Sequence, residues 1–180
     1  MTRADAYPQW LREEFGAMIE ELALPTLHKR FLTSRWLDQV AWMEGKADEA
    51  RRRYYRLRLT TVVGAVIVPT LVSVQGVSGD FDVAVRVATV ILSLIVAVSA
   101  AIEQFFHFGE RWQHYRQTVE RLKAEGWLFL QLSGHYVSAN GAGHAGAYPA
   151  FVQRVEEILR SDVDRYVSEV TVDRSSERQP

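Results

Sequence analysis

The side chains with the clearest chemistry stand in and just after an uncharged run. Val87–Ile102 reads VATVILSLIVAVSAAI, and Glu103 follows it directly. Small or hydroxylated residues recur four apart at Thr89, Ser93, Ala97 and Ala101, and Ser99 and Ala100 widen the row. On a helix that spacing falls on one face. In lipid such a face packs helices closely; turned to water, Thr89, Ser93 and Ala97 would line a path. An ionisable group beside an apolar helix must face protein or water, because lipid exposure costs roughly 2.5–3.5 kcal/mol at mid-bilayer. Repeated in a symmetric assembly, Glu103 would form a carboxylate ring drawing cations to a pore mouth, with Gln104 as an added polar contact. The plainer use of Glu103 is a surface pair with His107 at i+4. Asp80 and Asp82 offer an acidic outer vestibule, although short outer loops are often acidic in any case.

These residues need helices to hold them. A second uncharged stretch, Leu59–Gly79, reads LTTVVGAVIVPTLVSVQGVSG. A helix rises ~1.5 Å per residue, so about 20 apolar residues cross a hydrocarbon core of about 30 Å. Two spans are expected, at about 59–78 and 84–106. The competing arrangement is a soluble bundle with two buried core helices, and the charge pattern argues against it. Arg51, Arg52, Arg53, Arg56 and Arg58 precede the first span, and Arg111, Arg116, Arg121 and Lys123 follow the second. The connection Ser78–Arg86 holds one basic residue. Basic residues stay cytoplasmic, so both termini are expected inside, with Tyr54, Tyr55, Phe105, Phe106 and Phe108 as an inner aromatic belt. The N-terminus lacks a signal-peptide pattern, which leaves the first span as the insertion signal.

Apolar or small residues before and through the first span alternate four and three: Trp36, Val40, Met43, Ala47, Ala50, Tyr54, Leu57, Thr61, Gly64, Val68 and Leu71. That is a heptad seam. It predicts one helix from near Ser34 to near Gly76, capped by Thr33 or Ser34 and kinked at Pro69. After the second span the same alternation runs Phe105, Phe108, Trp112, Tyr115, Val119, Leu122, Gly126 and Phe129. It predicts a second helix from near Val83 to near Leu132. Together they make an all-α integral membrane protein, a long antiparallel hairpin of two spans continuing into cytoplasmic arms. Gly64 and Pro69 on the first span and Ala101 on the second are packing positions, and Trp36, Trp112 and Trp127 are core residues. The arginines before the first span set orientation, meet anionic headgroups, or pair with Glu110, Glu120 and Glu125 of the other arm. Arg111, Trp112, Tyr115 and Arg116 form a basic-aromatic patch that suits hairpin core and salt bridges better than a ligand.

The remaining boundaries are residues 1–33, an N-terminal amphipathic helix broken at Pro25; 34–132, the hairpin; 133–149, a Gly/Ala-rich loop; 150–172, an amphipathic helix; and 173–180, a disordered tail. On the last helix Phe151, Val155, Ile158, Leu159 and Tyr166 turn toward the bundle.

Three pieces carry a family resemblance. They are RWLDQ at the start of the first arm, the mid-span VP, and RWQHYRQTVERLKAEGWLFLQLSG in the second arm. Over roughly Arg30 to Leu159 the chain resembles the SLATT superfamily, bacterial two-span domains found beside nucleotide-signalling and conflict genes. The resemblance implies a pore-forming effector of the bacterial inner membrane, gated by a separate cytoplasmic signalling partner. No fused nucleotide-sensing domain is read in these 180 residues, so a ligand-sensing role within them is not expected.

Other chemistries lack their residues. There is no cysteine, so no disulfide, thiolate nucleophile or cysteine-based zinc site. No phosphate-binding glycine loop, dinucleotide fingerprint, nucleophile elbow or potassium-filter sequence occurs. His107 and His114 lie seven apart, but no histidine pair has metal spacing with a carboxylate partner. A near-neutral charge of −1 gives no reason to expect nucleic acid. No cofactor and no enzyme activity are expected. The partners expected are the bilayer and further copies of the chain, four or more if it conducts. The reading is a homo-oligomeric, cation-conducting pore with cytoplasmic arms for assembly and gating; the alternative is a membrane-anchored scaffold or signalling adaptor.

Overall fold

A computed structural model describes residues 3–74, 80–137 and 143–176. Among the described residues there are helices and no strand. In chain order they are α1 (Arg3–Glu21), α2 (Thr26–Phe31), a π-helical segment (Leu32–Leu37), α3 (Asp38–Val74), α4 (Asp80–Phe106), α5 (Phe108–Leu130), a 3-10 turn (Gly134–Tyr136) and α6 (Gly143–Ser176). The chain forms two compact units, Met1–Lys46 with His114–Pro180, and Ala47–Gln113.

The first unit is a helical bundle with a conventional core. On α1, Leu11, Phe15 and Ile19 recur four apart and are all buried. They meet Leu32, Trp36, Val40 and Met43 from the next segments, Val119, Leu122 and Phe129 from α5, and Phe151, Val155 and Leu159 from α6. Burying a large apolar side chain contributes about 1.5–3 kcal/mol, so this face holds the unit together. Trp36 is its centre. Its indole N–H donates to Leu122 O at 3.0 Å, and its ring lies edge-on to Phe15 at 5.4 Å. Gly126 makes room for it, since a Cβ at 126 would overlap the Trp36 ring at Cζ2.

Several boundaries differ from expectation. Pro25 does separate α1 from α2, and it stands at the N-cap of α2 with extended backbone. Thr33 and Ser34 do not cap a helix, because helical structure already runs from Thr26. Their hydroxyls donate backward, Thr33 to Lys29 O at 3.1 Å and Ser34 to Arg30 O at 2.6 Å. The second long helix is not continuous either. It breaks at His107, whose φ of 47° is left-handed. Gly143–Pro149, expected in a loop, forms the first turns of α6, and that helix runs on to Ser176 rather than stopping near 172. Tyr166 lies outside the described side chains. Of the other two tryptophans expected in the core, Trp112 is partly buried. Trp127 is 44% exposed, though its ring touches Phe15 at 4.8 Å.

The second unit pairs the later part of α3 with α4. Gly64 meets Val96 of α4, and Tyr54 meets Gly109 at the start of α5; positions fall along α3 as they rise through α4 into α5, so α3 and α4 run antiparallel. The inward face of α3 is Ala47, Ala50, Tyr54, Leu57, Thr61, Gly64, Val68 and Leu71, each buried or partly buried while most of their neighbours are exposed. This is the heptad seam read from the sequence. The helix passes through Pro69, which withholds the N–H that Ala65 O would accept. Beside it the Thr70 hydroxyl donates to Val66 O at 3.0 Å and the Ser73 hydroxyl to Pro69 O at 2.9 Å.

Candidate functional site

Two helices, Thr26–Val74 and Asp82–Phe106, are long and apolar enough to cross a membrane. Only 6% of each apolar stretch is buried within the single chain. A soluble core helix would be mostly covered. Here Leu59, Val62, Val66, Val90, Ile91 and Leu94 stand between 52% and 68% exposed, which is costly in water.

On α4 the face toward α3 consists of Val85, Thr89, Leu92, Val96, Ser99 and Glu103, all buried or partly buried. Thr89 is 7% exposed, and its hydroxyl donates to Val85 O at 2.7 Å. Ser93 is half-buried at the edge of that face. Ala97 and Ala101 are exposed, turned past Ser93 onto one flank together with Gln104. The four-apart row therefore does not lie wholly against α3. A helix turns about 100° per residue, so a strict four-residue row drifts some 40° per step from contact to exposure. The opposite flank carries Ile91, Ile95, Val98 and Ile102, all exposed and bulky. Of the three packing positions, Gly64 is buried against α4, while Pro69 and Ala101 are exposed.

Glu103 is partly buried at the end of the apolar stretch and makes no ion pair among the described residues. Its backbone carbonyl accepts from His107 N at 3.0 Å. His107 is exposed and ends the helix instead of forming the expected side-chain pair. That left-handed residue resets the phase. Phe108 turns inward at 7% exposure, while Phe105 and Phe106 stay outside at 78% and 46%. It also leaves His107 and His114 off any common helix, so they share no helix face. Asp80 and Asp82 lie in the first turn of α4 rather than in a loop, where a helix N-terminus favours carboxylates. Asp82 Oδ2 pairs with Arg86 at 3.0 Å, which reduces its value as an attracting charge.

The arginines ahead of the first apolar stretch are exposed, and their ion pairs stay on their own helix: Arg51 with Asp48 and Arg53 with Glu49. The expected pairing with Glu110 does not form among the described residues. Instead Arg53 lies over the Phe108 ring at 5.8 Å.

Two buried carboxylates in the first unit were not anticipated. Glu44, 2% exposed, receives Arg116 Nη1 at 2.5 Å and Lys123 Nζ at 3.4 Å. Glu120 completes the network through Arg116 and Lys123. Burial works to lower the Lys123 ammonium's pKa, but the hydrogen bond to Glu120 and the charges of Glu44 and Glu120 leave it raised. Glu125 receives the Tyr136 hydroxyl at 2.5 Å and His135 Nε2 at 2.6 Å. Burial, then the hydrogen bond to Glu125, pushes the Tyr136 hydroxyl well above the usual phenol range. Both carboxylates occupy core-stripe positions, Glu44 four after Val40 and Glu125 three after Leu122, and that spacing was the available signal. His114 Nε2 lies 2.9 Å from Asp162, and His144 Nε2 lies 3.1 Å from Leu130 O. No group of metal-ligating side chains occurs among the described residues.

The described chain is thus an all-helical protein with two helices suited to a membrane. Residues 38–142, more than half of it, match the family described as "Protein of unknown function (DUF4231)", and the protein belongs to that family. No curated protein and no solved structure matches it.

Proposed function

We propose that the protein is a homo-oligomeric, cation-conducting pore of a bacterial inner membrane, with both termini cytoplasmic and the bundled helices serving assembly and gating. The observation that carries this reading is the two-sided surface of α4 once α3 has taken its share. One flank is mainly small and polar (Ser93, Ala97, Ala101, Gln104) with Val90 among them, and the other is bulky and aliphatic throughout (Ile91, Ile95, Val98, Ile102). Bulky aliphatic side chains suit acyl chains. Small residues suit a second hairpin's close approach and, where hairpins part, a wetted path. Glu103 ends the face toward α3, just past the apolar stretch, and supplies the charge at the inner mouth. Asp80 and Asp82 supply a weaker field at the outer one. The resemblance to SLATT domains supports the same class of function and a separate cytoplasmic partner as the gating signal.

The test is ion flux through liposomes carrying the purified protein. The pore reading expects cation-selective current, with conductance or cation preference reduced in Glu103→Gln. Unchanged current in that variant removes Glu103 from the mechanism. No flux at any potential favours a membrane-anchored scaffold.

A further inference from the structure

One outward face of α3 changes chemistry abruptly along its length. It begins with Arg52 and Arg56, continues with Leu59 and Val63, and ends with Val66 and Ile67, all exposed. The spacing of four, three, four and three or four keeps them on one stripe of the helix. Arg51 and Arg53, on either side of Arg52, are engaged with Asp48 and Glu49. Arg52 and Arg56 make no ion pair among the described residues. Two guanidinium groups one turn apart, with Cβ atoms roughly 5–6 Å from each other, can clasp one phosphodiester from two sides. Immediately beyond them the stripe becomes purely aliphatic.

We propose that this stripe is a binding track for an anionic glycerophospholipid: Arg52 and Arg56 hold the phosphodiester, and Leu59, Val63, Val66 and Ile67 carry an acyl chain. The order of chemistries selects the occupant. A soluble phosphate compound would use the arginines and leave the aliphatic stripe in water. A partner helix covering that stripe would need carboxylates at one end and an apolar ridge after it. A lipid presents a phosphate and a hydrocarbon chain in that order and at that boundary. Tyr55, 58% exposed on the same turn, adds the aromatic group favoured at an interface. A net-negative headgroup is preferred over a zwitterionic one, because the choline of the latter places a cation beside two arginines. The proposal rests on the membrane reading above and adds the identity of the bound lipid.

The test uses the full chain in detergent, supplied with phosphatidylglycerol or phosphatidylcholine of matched acyl chains. Lipids retained on the protein are counted by native mass spectrometry. Basic residues near an anionic surface contribute about 1 kcal/mol each, so the pair predicts a preference of about thirty-fold for phosphatidylglycerol. R52Q/R56Q is expected to lose most of that preference while keeping its helical signal. R30Q/R121Q, which removes the same charge elsewhere, is expected to keep it. Equal retention of both lipids by the unmodified protein, or an undiminished preference in R52Q/R56Q, overturns the track while leaving membrane insertion standing. A protein that retains neither lipid and stays dispersed without detergent overturns the membrane reading itself, and the track with it.

Discussion

Replacing Gly64 by alanine is expected to drive α3 and α4 apart, and the geometry fixes both the size and the partner of the effect. A Cβ at 64 would overlap Val96 Cγ2 and lie 3.5 Å from Val96 Cβ. Carbon atoms in contact prefer about 3.5–4.0 Å, so the valine methyl group must yield. It cannot swing aside cheaply, because a β-branched side chain in a helix has one strongly preferred χ1. Overpacking of this kind costs about 1–3 kcal/mol. Alanine's better helix propensity returns up to about 1 kcal/mol, leaving Gly64→Ala destabilising by roughly 1–2 kcal/mol. In a Val96→Ala background the clash disappears and only the propensity gain remains, so the same substitution should become neutral or stabilising. The assay is reversible unfolding in detergent micelles, followed by helical signal, for the four proteins of the cycle. A coupling of about 1–3 kcal/mol between the two sites is expected. If Gly64→Ala changes stability equally in both backgrounds, the close approach of α3 and α4 at this point is refuted.

The buried network, one surface pair and the flanks of α4 can be tested in the same way. Glu44→Gln removes a carboxylate shared by Arg116 and Lys123 in a site 2% exposed. It should lower bundle stability by about 3 kcal/mol, and a thermal-melt loss equivalent to under about 1 kcal/mol would contradict the buried network. Arg35 donates to Glu156 at 2.8 Å, and that hydrogen bond holds the Glu156 carboxyl below its ordinary 4.5. Because the folded value is the lower one, the contribution is full above pH 4.5 and is lost as pH falls through the folded value. Both groups are partly exposed, so it amounts to less than about 1 kcal/mol. The drop in melting temperature on acidification from neutral pH to well below that value should be smaller in Arg35→Gln, and an identical drop would remove the pair from the acid response. On α4, Ala97→Leu should reduce the subunit number measured by light scattering, whereas Val98→Leu on the bulky flank should leave it unchanged; the reverse pattern would place the subunit contact on the other flank.

The inward face of α3 was legible because its signal is purely periodic. From Trp36 to Leu71 the alternation of four and three coincides with buried or partly buried positions, and a helix turned by a fixed angle has no other way to cover an apolar stripe. The inward residues of α5, from Phe108 to Phe129, were legible for the same reason. The break between α4 and α5 was not, since His107 is neither proline nor glycine, the residues that ordinarily announce such a reset, yet its φ is left-handed. The row on α4 is spread across faces by its exact spacing: Thr89 is buried, Ala101 is exposed, and the residues that face α3 between them include Val96 and Ser99. A helix interface follows alternating threes and fours, so a row of fours alone leaves it. The burial of Glu44 and Glu125 was not legible because a carboxylate on an apolar stripe looks like an interruption until its partners, several of which come from distant segments, are known.

The measurement that bears most directly on the central claim is imaging of the purified protein in nanodiscs to obtain subunit number and the residues nearest the symmetry axis. The pore reading predicts a closed ring of four or more hairpins with Ser93, Ala97 and Glu103 bordering a central path. A dimer with Ala97 and Ala101 buried against their counterparts, and no opening along its axis, would contradict it.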